Sequence, residues 1–166
     1  MLMKMLETYI KSESENLIKE HTRFVHSGRK DRIPTSFRDI IEDLEHATRD
    51  QTEFTVHLAV DYGGKDEIVR ALNRYVERIT NNEQRITQSA TPLTEEIFGT
   101  FLDHPELPDI DIVLRSSGEQ RTSNFFLWQT GYSEWIFSAK YFPDIGTQDL
   151  EEALKEYEKR KRRFGS

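Results

Sequence analysis

Two arginines bracket a short polar turn in the stretch LRSSGEQRTSNFFLWQ, which runs from Leu114 to Gln129. Ser116, Ser117 and Gly118 lie between Arg115 and Arg121, and Ser123 follows. Guanidinium forks engage oxyanions through paired N–H bonds, and hydroxyls add further donors. A sulfate- or diphosphate-like group would satisfy all of them. An arginine at the end of an apolar strand could instead extend to solvent and pair with a surface acid, but two arginines among three serines favour an anion site. Glu134 lies a little further on. A carboxylate beside a diphosphate is repelled unless a cation bridges them, and Mg²⁺ takes one carboxylate plus phosphate oxygens and water. Taken alone, Glu134 reads as an exposed acid at a strand edge. The run Phe125, Phe126, Leu127, Trp128 reads as core. The five histidines have no metal-ligand spacing, and His57, within an apolar strand, reads as a hydrogen-bonded core histidine.

These residues need a frame. The pattern predicts a helix over residues 1–20 with Leu2, Met5, Leu6, Tyr9 and Ile10 on one face. RFVHSG reads as a strand ending at Gly28, and Pro34 opens a helix carrying Phe37, Ile40, Ile41 and Leu44. EFTVHLAV is a strand, and DYGGKDE turns the chain into a helix with Ile68, Val69, Leu72, Tyr75 and Val76 inward. Residues 80–92 are a polar loop. LTEEIFGTFL is a short helix capped by Thr91 or Thr94. IDIVL is a buried strand, SNFFLWQTGY reads as helical, and EWIFSA is a strand. Residues 147–164 form a last helix opened by Thr147 or Asp149. The alternation predicts an α/β fold, a mostly parallel central sheet flanked by helices, in a single domain of 1–166. Ligands of such sheets bind at the carboxyl ends of strands, where Arg115 to Asn124 falls. Asp61-Tyr62-Gly63-Gly64 falls there too, but it matches neither common phosphate-loop pattern and reads as a tight strand-to-helix turn.

Bulk properties exclude several classes. The chain has 166 residues, no cysteine, and a formal net charge of −7. Disulfides and thiolate metal sites are thereby excluded. The negative charge argues against broad nucleic-acid binding. Mean hydropathy is −0.72, and no apolar run reaches the length of a membrane span. The start of the chain lacks the apolar centre of a signal peptide, which makes cytoplasm the default location. The basic end KEYEKRKRRFGS reads either as cations at a helix terminus or as an anion or membrane-surface contact.

The block DIDIVLRSSGEQRTSNFFLWQTGYSEWIFSAKYFPDI resembles the signature of the cis-prenyltransferases, the undecaprenyl diphosphate synthase family. VDYGGKDEIVRAL resembles the family's N-Y-G-G-R-x-E-I block, and YEKRKRRFG its closing Y-x-x-R-x-R-R-F-G segment. The resemblance implies condensation of isopentenyl diphosphate with an allylic prenyl diphosphate in the cis sense, with Mg²⁺ as cofactor. It implies that Arg115, Arg121, Thr122 and Ser123 hold the diphosphate of isopentenyl diphosphate, with Asn124 ordering their loop. Arg163 and Gly165 match an R-x-G motif that in the family reaches the partner subunit's substrate site. Glu134 matches the family's Mg²⁺ glutamate. A homodimer or heteromeric enzyme, and peripheral membrane contact for product release, follow from the same likeness.

The chain also departs from the family pattern. Neither H-x-x-x-x-M-D-G-N-x-R-W, whose aspartate serves the allylic diphosphate, nor Y-x-F-S-x-E-N-W-x-R-P occurs in the 166 residues. Phe142 replaces the usual tryptophan before Pro143-Asp144, and Ser116 stands where threonine is common. The expectation is the C-terminal two-thirds of the family domain, without its first strands and phosphate loop and with no catalytic residue of its own. On this reading the chain is a fragment or one subunit of the enzyme, inactive without the missing motif. The alternatives are a non-catalytic accessory subunit and a phosphate-binding regulatory module.

Overall fold

Thr22 to Ser27 is a strand because β-branched and aromatic residues there meet a hydrophobic sheet face. The computed structural model describes residues 2–81 and 92–160 and divides into two compact units, Met1–Glu106 and Leu107–Ser166. In the first unit, α1 (Leu2–Lys19) leads into β1 (Thr22–Ser27), then α2 (Thr35–Thr48), β2 (Phe54–Ala59), α3 (Gly64–Asn81) and the short α4 (Glu95–Gly99). β1 and β2 pair in parallel, with Phe24 opposite Val56 and His26 opposite Leu58. The core gathers Ile10, Phe24, Ile33, Phe37, Ile41, Leu44 and Val60. On α2 the buried Phe37, Ile41, Leu44 and Thr48 follow helical spacing. Gly28, at φ +130°, is obligatory: a β-carbon there would lie 2.1 Å from the Val60 carbonyl oxygen.

Among the described residues, the edge of β1 away from β2 is met by side chains. Phe24 N–H donates to Thr48 Oγ1 at 3.0 Å, and His26 N–H to Glu45 Oε1 at 2.9 Å. His104 Nε2 donates to the His26 carbonyl at 2.9 Å. Such plugs satisfy backbone groups that would otherwise recruit a further strand.

Two helices present other faces than their apolar periodicity predicts. On α1, Ile10 is buried and Met3, Leu6 and Leu17 pack on the core, while Met5 and Tyr9 are exposed. On α3 the buried positions are Gly64, Glu67 and Ala71 and the expected Ile68 and Tyr75 are half-buried, whereas Val69, Leu72, Val76 and Ile79 are exposed, Val69 by 56%. The reason is Glu67. Its carboxylate accepts the Tyr62 hydroxyl at 2.5 Å and the Asp103 N–H at 3.1 Å, so a buried acid with two donors sets the rotation of the helix. Burial and the hydrogen bond to Glu67 push the Tyr62 hydroxyl pKa upward. Gly63-Gly64 forms the strand-to-helix turn, neither residue having positive φ.

In the second unit β3 (Ile112–Arg115) and β4 (Glu134–Phe137) pair in parallel, with Arg115 opposite Phe137, and α5 (Thr147–Lys159) follows. α5 is capped at Gly146, whose N–H donates to Asp149 Oδ2 at 2.9 Å. That bond, helped by Lys140 at 2.7 Å, holds the Asp149 carboxyl below its ordinary value. The α/β architecture with parallel strands and flanking helices agrees with the sequence, but SNFFLWQTGY is not helical. Residues 123–132 form consecutive turns, because Ser123, Asn124 and Phe126 all have positive φ, at 48°, 64° and 40°, and left-handed residues cannot propagate a right-handed helix. α4 is capped by Thr94, whose Oγ1 accepts from Ile97 N–H; the alternative cap Thr91 lies outside the described residues. Among the described residues no helix is long and apolar enough to cross a membrane.

Candidate functional site

Arg115 is the last residue of β3, where the parallel strand delivers its side chain to the carboxyl end of the sheet. Its Nη2 donates to Ser123 Oγ at 3.2 Å, so two residues singled out by type are brought into contact across the loop. The loop that follows Arg115, residues 116–126, is unusual. Of six positive-φ non-glycine residues among those described, four (Ser117, Ser123, Asn124 and Phe126) lie in it, and Gly118 joins them at φ +68°. Such conformations cost about 1–3 kcal/mol each and persist where surrounding structure over-determines them. Here Ser117 N–H donates to the Lys140 carbonyl at 2.7 Å and Gly118 N–H to that of Ser138 at 2.8 Å. Thr130 N–H donates back to Phe126 O at 2.9 Å.

A cavity of about 310 Å³ opens beside this turn, lined by Val113, Leu114, Arg115, Ser116, Ser117, Glu119, Phe125 and Trp135. One guanidinium, one carboxylate and two hydroxyl residues share it with four apolar walls. That lining suits an amphiphile, an anionic head carrying a hydrocarbon, better than a bare anion. Phe125 packs edge-on against the buried Phe126, ring centroids 4.7 Å apart, and Trp135 stacks on Phe137. Part of the aromatic run is therefore core, and Phe125 is site wall.

The remaining predicted residues are distributed unevenly. Arg121 is 68% exposed and ion-paired with Glu119. Thr122 accepts from Phe125 N–H at 3.1 Å through its carbonyl, closing the turn, and Thr122 and Asn124 are both exposed. Glu134 begins β4, and its Oε2 receives Arg160 Nη1 at 2.8 Å. Arg163 and Gly165 lie outside the described residues. Sequence reasoning missed Glu119, which lines the cavity and neutralises Arg121; its signal was an acid two residues from an arginine in an anion loop. It also missed Arg160, which had been counted only as part of a basic tail.

Among the described residues no group of three or more His, Asp or Glu side chains could hold a metal ion. Mg²⁺ needs no such cage, since it keeps waters and takes one or two carboxylates together with phosphate oxygens. Glu134 offers one such carboxylate, but it opens β4 opposite Ile112 whereas Arg115 lies opposite Phe137, so the structure does not bring it to the Arg115–Ser123 contact. The first unit has a larger cavity, about 410 Å³, with Arg23, Arg70, Arg74, Asp103 and Glu106 in its wall. Its cations are already paired: Arg70 grips Asp103 with both nitrogens, Arg74 adds a third contact, Arg23 pairs with Glu106, Lys30 with Glu45 and Arg49 with Asp50.

A sequence profile for the family described as "Putative undecaprenyl diphosphate synthase" matches residues 1–165. The chain belongs to the undecaprenyl diphosphate synthase family of prenyltransferases. It is 39% identical over 164 residues to an isoprenyl transferase of Fusobacterium nucleatum, covering 99% of this chain and 66% of that protein. It is 39% identical over 165 residues to isoprenyl transferase 2 of Corynebacterium glutamicum, with the same two coverages. Its fold superposes on lavandulyl diphosphate synthase from Lavandula x intermedia, solved with dimethylallyl diphosphate, at a TM-score of 0.87 and 32% identity, covering 99% of this chain and 70% of that one. The chain thus spans just under two-thirds of the length of those two isoprenyl transferases.

Proposed function

We propose that the chain carries the isopentenyl diphosphate half of a cis-prenyltransferase site and works with an allylic half supplied from outside these 166 residues. The observation that carries this reading is the Arg115–Ser123 contact, with Arg115 in the wall of a cavity that Val113, Leu114, Phe125 and Trp135 also line, in a chain related to isoprenyl transferases. Arg115 and Ser123 would hold the diphosphate, with Arg121 joining them once released from Glu119. The turn from Thr122 to Asn124 positions Ser123. Val113, Leu114, Phe125 and Trp135 would receive the isoprenyl carbons and keep water from the reacting double bond. Glu134 would bind Mg²⁺, which when present neutralises charge developing on a diphosphate. The aspartate of the D-G-N-x-R-W motif is not among these residues, so on this reading it belongs to further polypeptide, in the same protein or in a partner subunit. Homodimeric or heteromeric assembly and peripheral contact with a membrane belong to the same proposal.

Calorimetric titration tests the reading. Isopentenyl diphosphate should bind the full chain more tightly than inorganic diphosphate, because the apolar wall adds burial of roughly 25 cal/mol per Å². Arg115→Ala should weaken both. Equal affinity for the two ligands, or binding indifferent to Arg115, would overturn it.

A further inference from the structure

The strands that carry the anion turn also fix where its apolar wall ends. Successive strand residues point to opposite faces, so Val113 and Arg115 share one face with Trp135 and Phe137, their partners in the register of β3 and β4. Trp135 stands two residues back from the Arg115–Phe137 pair, roughly 6.6 Å along the strand at about 3.3 Å per residue. Its backbone is held in the sheet, and Arg160 Nη1 donates to its carbonyl at 3.1 Å. Its indole stacks on Phe137, with ring centroids 6.1 Å and planes 22° apart. Trp135 and Arg115 line one cavity of about 310 Å³. That volume lies at the low end of ligand pockets, which run from roughly 300 to 1,000 Å³.

We propose that Trp135 sets the length of hydrocarbon this site accepts, so that it takes a five-carbon diphosphate and turns away the ten-carbon homologue. The inference rests on reading Arg115 and Ser123 as the diphosphate site. The apolar strand residues of the lining, Val113 and Leu114, precede Arg115, so a head group held at Arg115 sends its carbons back over Val113. The indole beside Val113 meets that chain after a short run. Packed apolar walls resist added volume, because extra carbons force side chains off their rotamers. Trp135 yields little, since its strand is paired with β3 and its ring is backed by Phe137. A second isoprenyl unit therefore has to leave the cavity for water, and it forgoes the burial that favours the first. Phe125 bounds the same space from the loop rather than from the sheet, so the gauge is assigned to Trp135. Trp135 is thus a specificity residue that meets the hydrocarbon, while Arg115 and Ser123 hold the head.

The test is displacement calorimetry on the full chain loaded with isopentenyl diphosphate, using inorganic diphosphate and geranyl diphosphate, the ten-carbon homologue, as competitors. Displacement confines the readout to the site that isopentenyl diphosphate occupies. In the parent, geranyl diphosphate should bind about tenfold more weakly than isopentenyl diphosphate, the scale on which an apolar pocket discriminates by size. Trp135→Ala should erase that preference: geranyl diphosphate binds more tightly than in the parent, isopentenyl diphosphate more weakly, and inorganic diphosphate as before. General loosening of the fold would weaken all three together instead. Trp135→Leu shortens the wall and keeps it apolar, and it serves if the thermal melt shows that the alanine variant does not fold. Equal affinity of the parent for the two prenyl diphosphates, or a folded Trp135 variant that keeps the parent's preference, overturns the proposal. Arg115→Ala separates the two levels. If it weakens isopentenyl diphosphate while the Trp135 variants keep the preference, the length gauge fails and the diphosphate site stands. If Arg115→Ala binds as the parent does, the site reading fails and the gauge with it.

Discussion

Arg115 and Arg121 have the same chemistry and different situations. Arg115 is backed by a strand and steadied by Ser123, whereas Arg121 is exposed and held by Glu119. Arg115→Ala should lower diphosphate affinity about ten- to a hundredfold, the loss of a charge-assisted bond worth roughly 1.5–3 kcal/mol. Arg121→Ala should act in the same direction but less, since an exposed, paired cation is screened. Glu119→Gln should do the opposite and tighten diphosphate binding, because it releases Arg121 and removes a negative wall. Calorimetry on the three variants checks the order, and a weaker-binding Glu119→Gln would place Arg121 outside the anion site. His57 has a different role. Burial, followed by His104 and His26, lowers its pKa from 6.5 to about 4, while its Nε2 meets Ser27 Oγ at 2.8 Å. The unfolded chain takes up that proton first, so the contribution to stability is complete above about pH 6.5 and is lost as pH falls from there towards 4. Urea midpoints at pH 7 and pH 5 should differ more for the parent than for His57→Gln.

At the scale of elements, two polar latches determine how helices sit. Tyr62, Glu67 and the Asp103 N–H fix α3, and Thr48 with Glu45 closes the edge of β1. Tyr62→Phe leaves a buried carboxylate oxygen with one donor fewer and should cost about 1–3 kcal/mol in urea unfolding. Diphosphate affinity should not change, since the Tyr62-Gly63-Gly64 block acts as a turn and anchor. A selective loss of anion binding in this variant would instead make the glycine pair part of an anion site.

At the scale of the molecule, α3 presents Val69, Leu72, Val76 and Ile79 to the outside as one stripe. Exposed apolar patches of this kind mark interaction surfaces. Light scattering at micromolar concentration should give a mass above the 19.6 kDa of one chain, and Leu72→Lys with Val76→Lys should reduce it; a parent that scatters as a monomer would leave the stripe without this role. The same chain, mixed with farnesyl diphosphate, isopentenyl diphosphate and Mg²⁺, should make no polyprenyl product, because no residue among the 166 supplies the D-G-N-x-R-W aspartate. Robust product from the chain alone would refute that division of labour.

By itself the sequence determined the alternation of strands and helices, apart from SNFFLWQTGY, and their parallel pairing, and it marked the Arg115 to Asn124 turn as a candidate anion site. These follow from local periodicity and residue chemistry, which survive without tertiary context. Glu134 was legible as a candidate because a carboxylate close in sequence to an anion site suggests a cation, yet the register of β3 and β4 sets it opposite Ile112 and not beside Arg115. Only the tertiary structure decided which faces turn inward. The α3 apolar stripe predicts burial, yet Glu67, a single acid finding two donors, turned that stripe outward. Likewise SNFFLWQTGY has helical spacing, but its left-handed residues follow a turn whose first part is tied to the Ser138 and Lys140 carbonyls, bonds to partners distant in sequence. Arg160 was invisible as anything but a basic residue until the end of α5 brought it to Glu134. Local sequence records propensity, but partners brought together by the fold choose among the conformations that propensity permits.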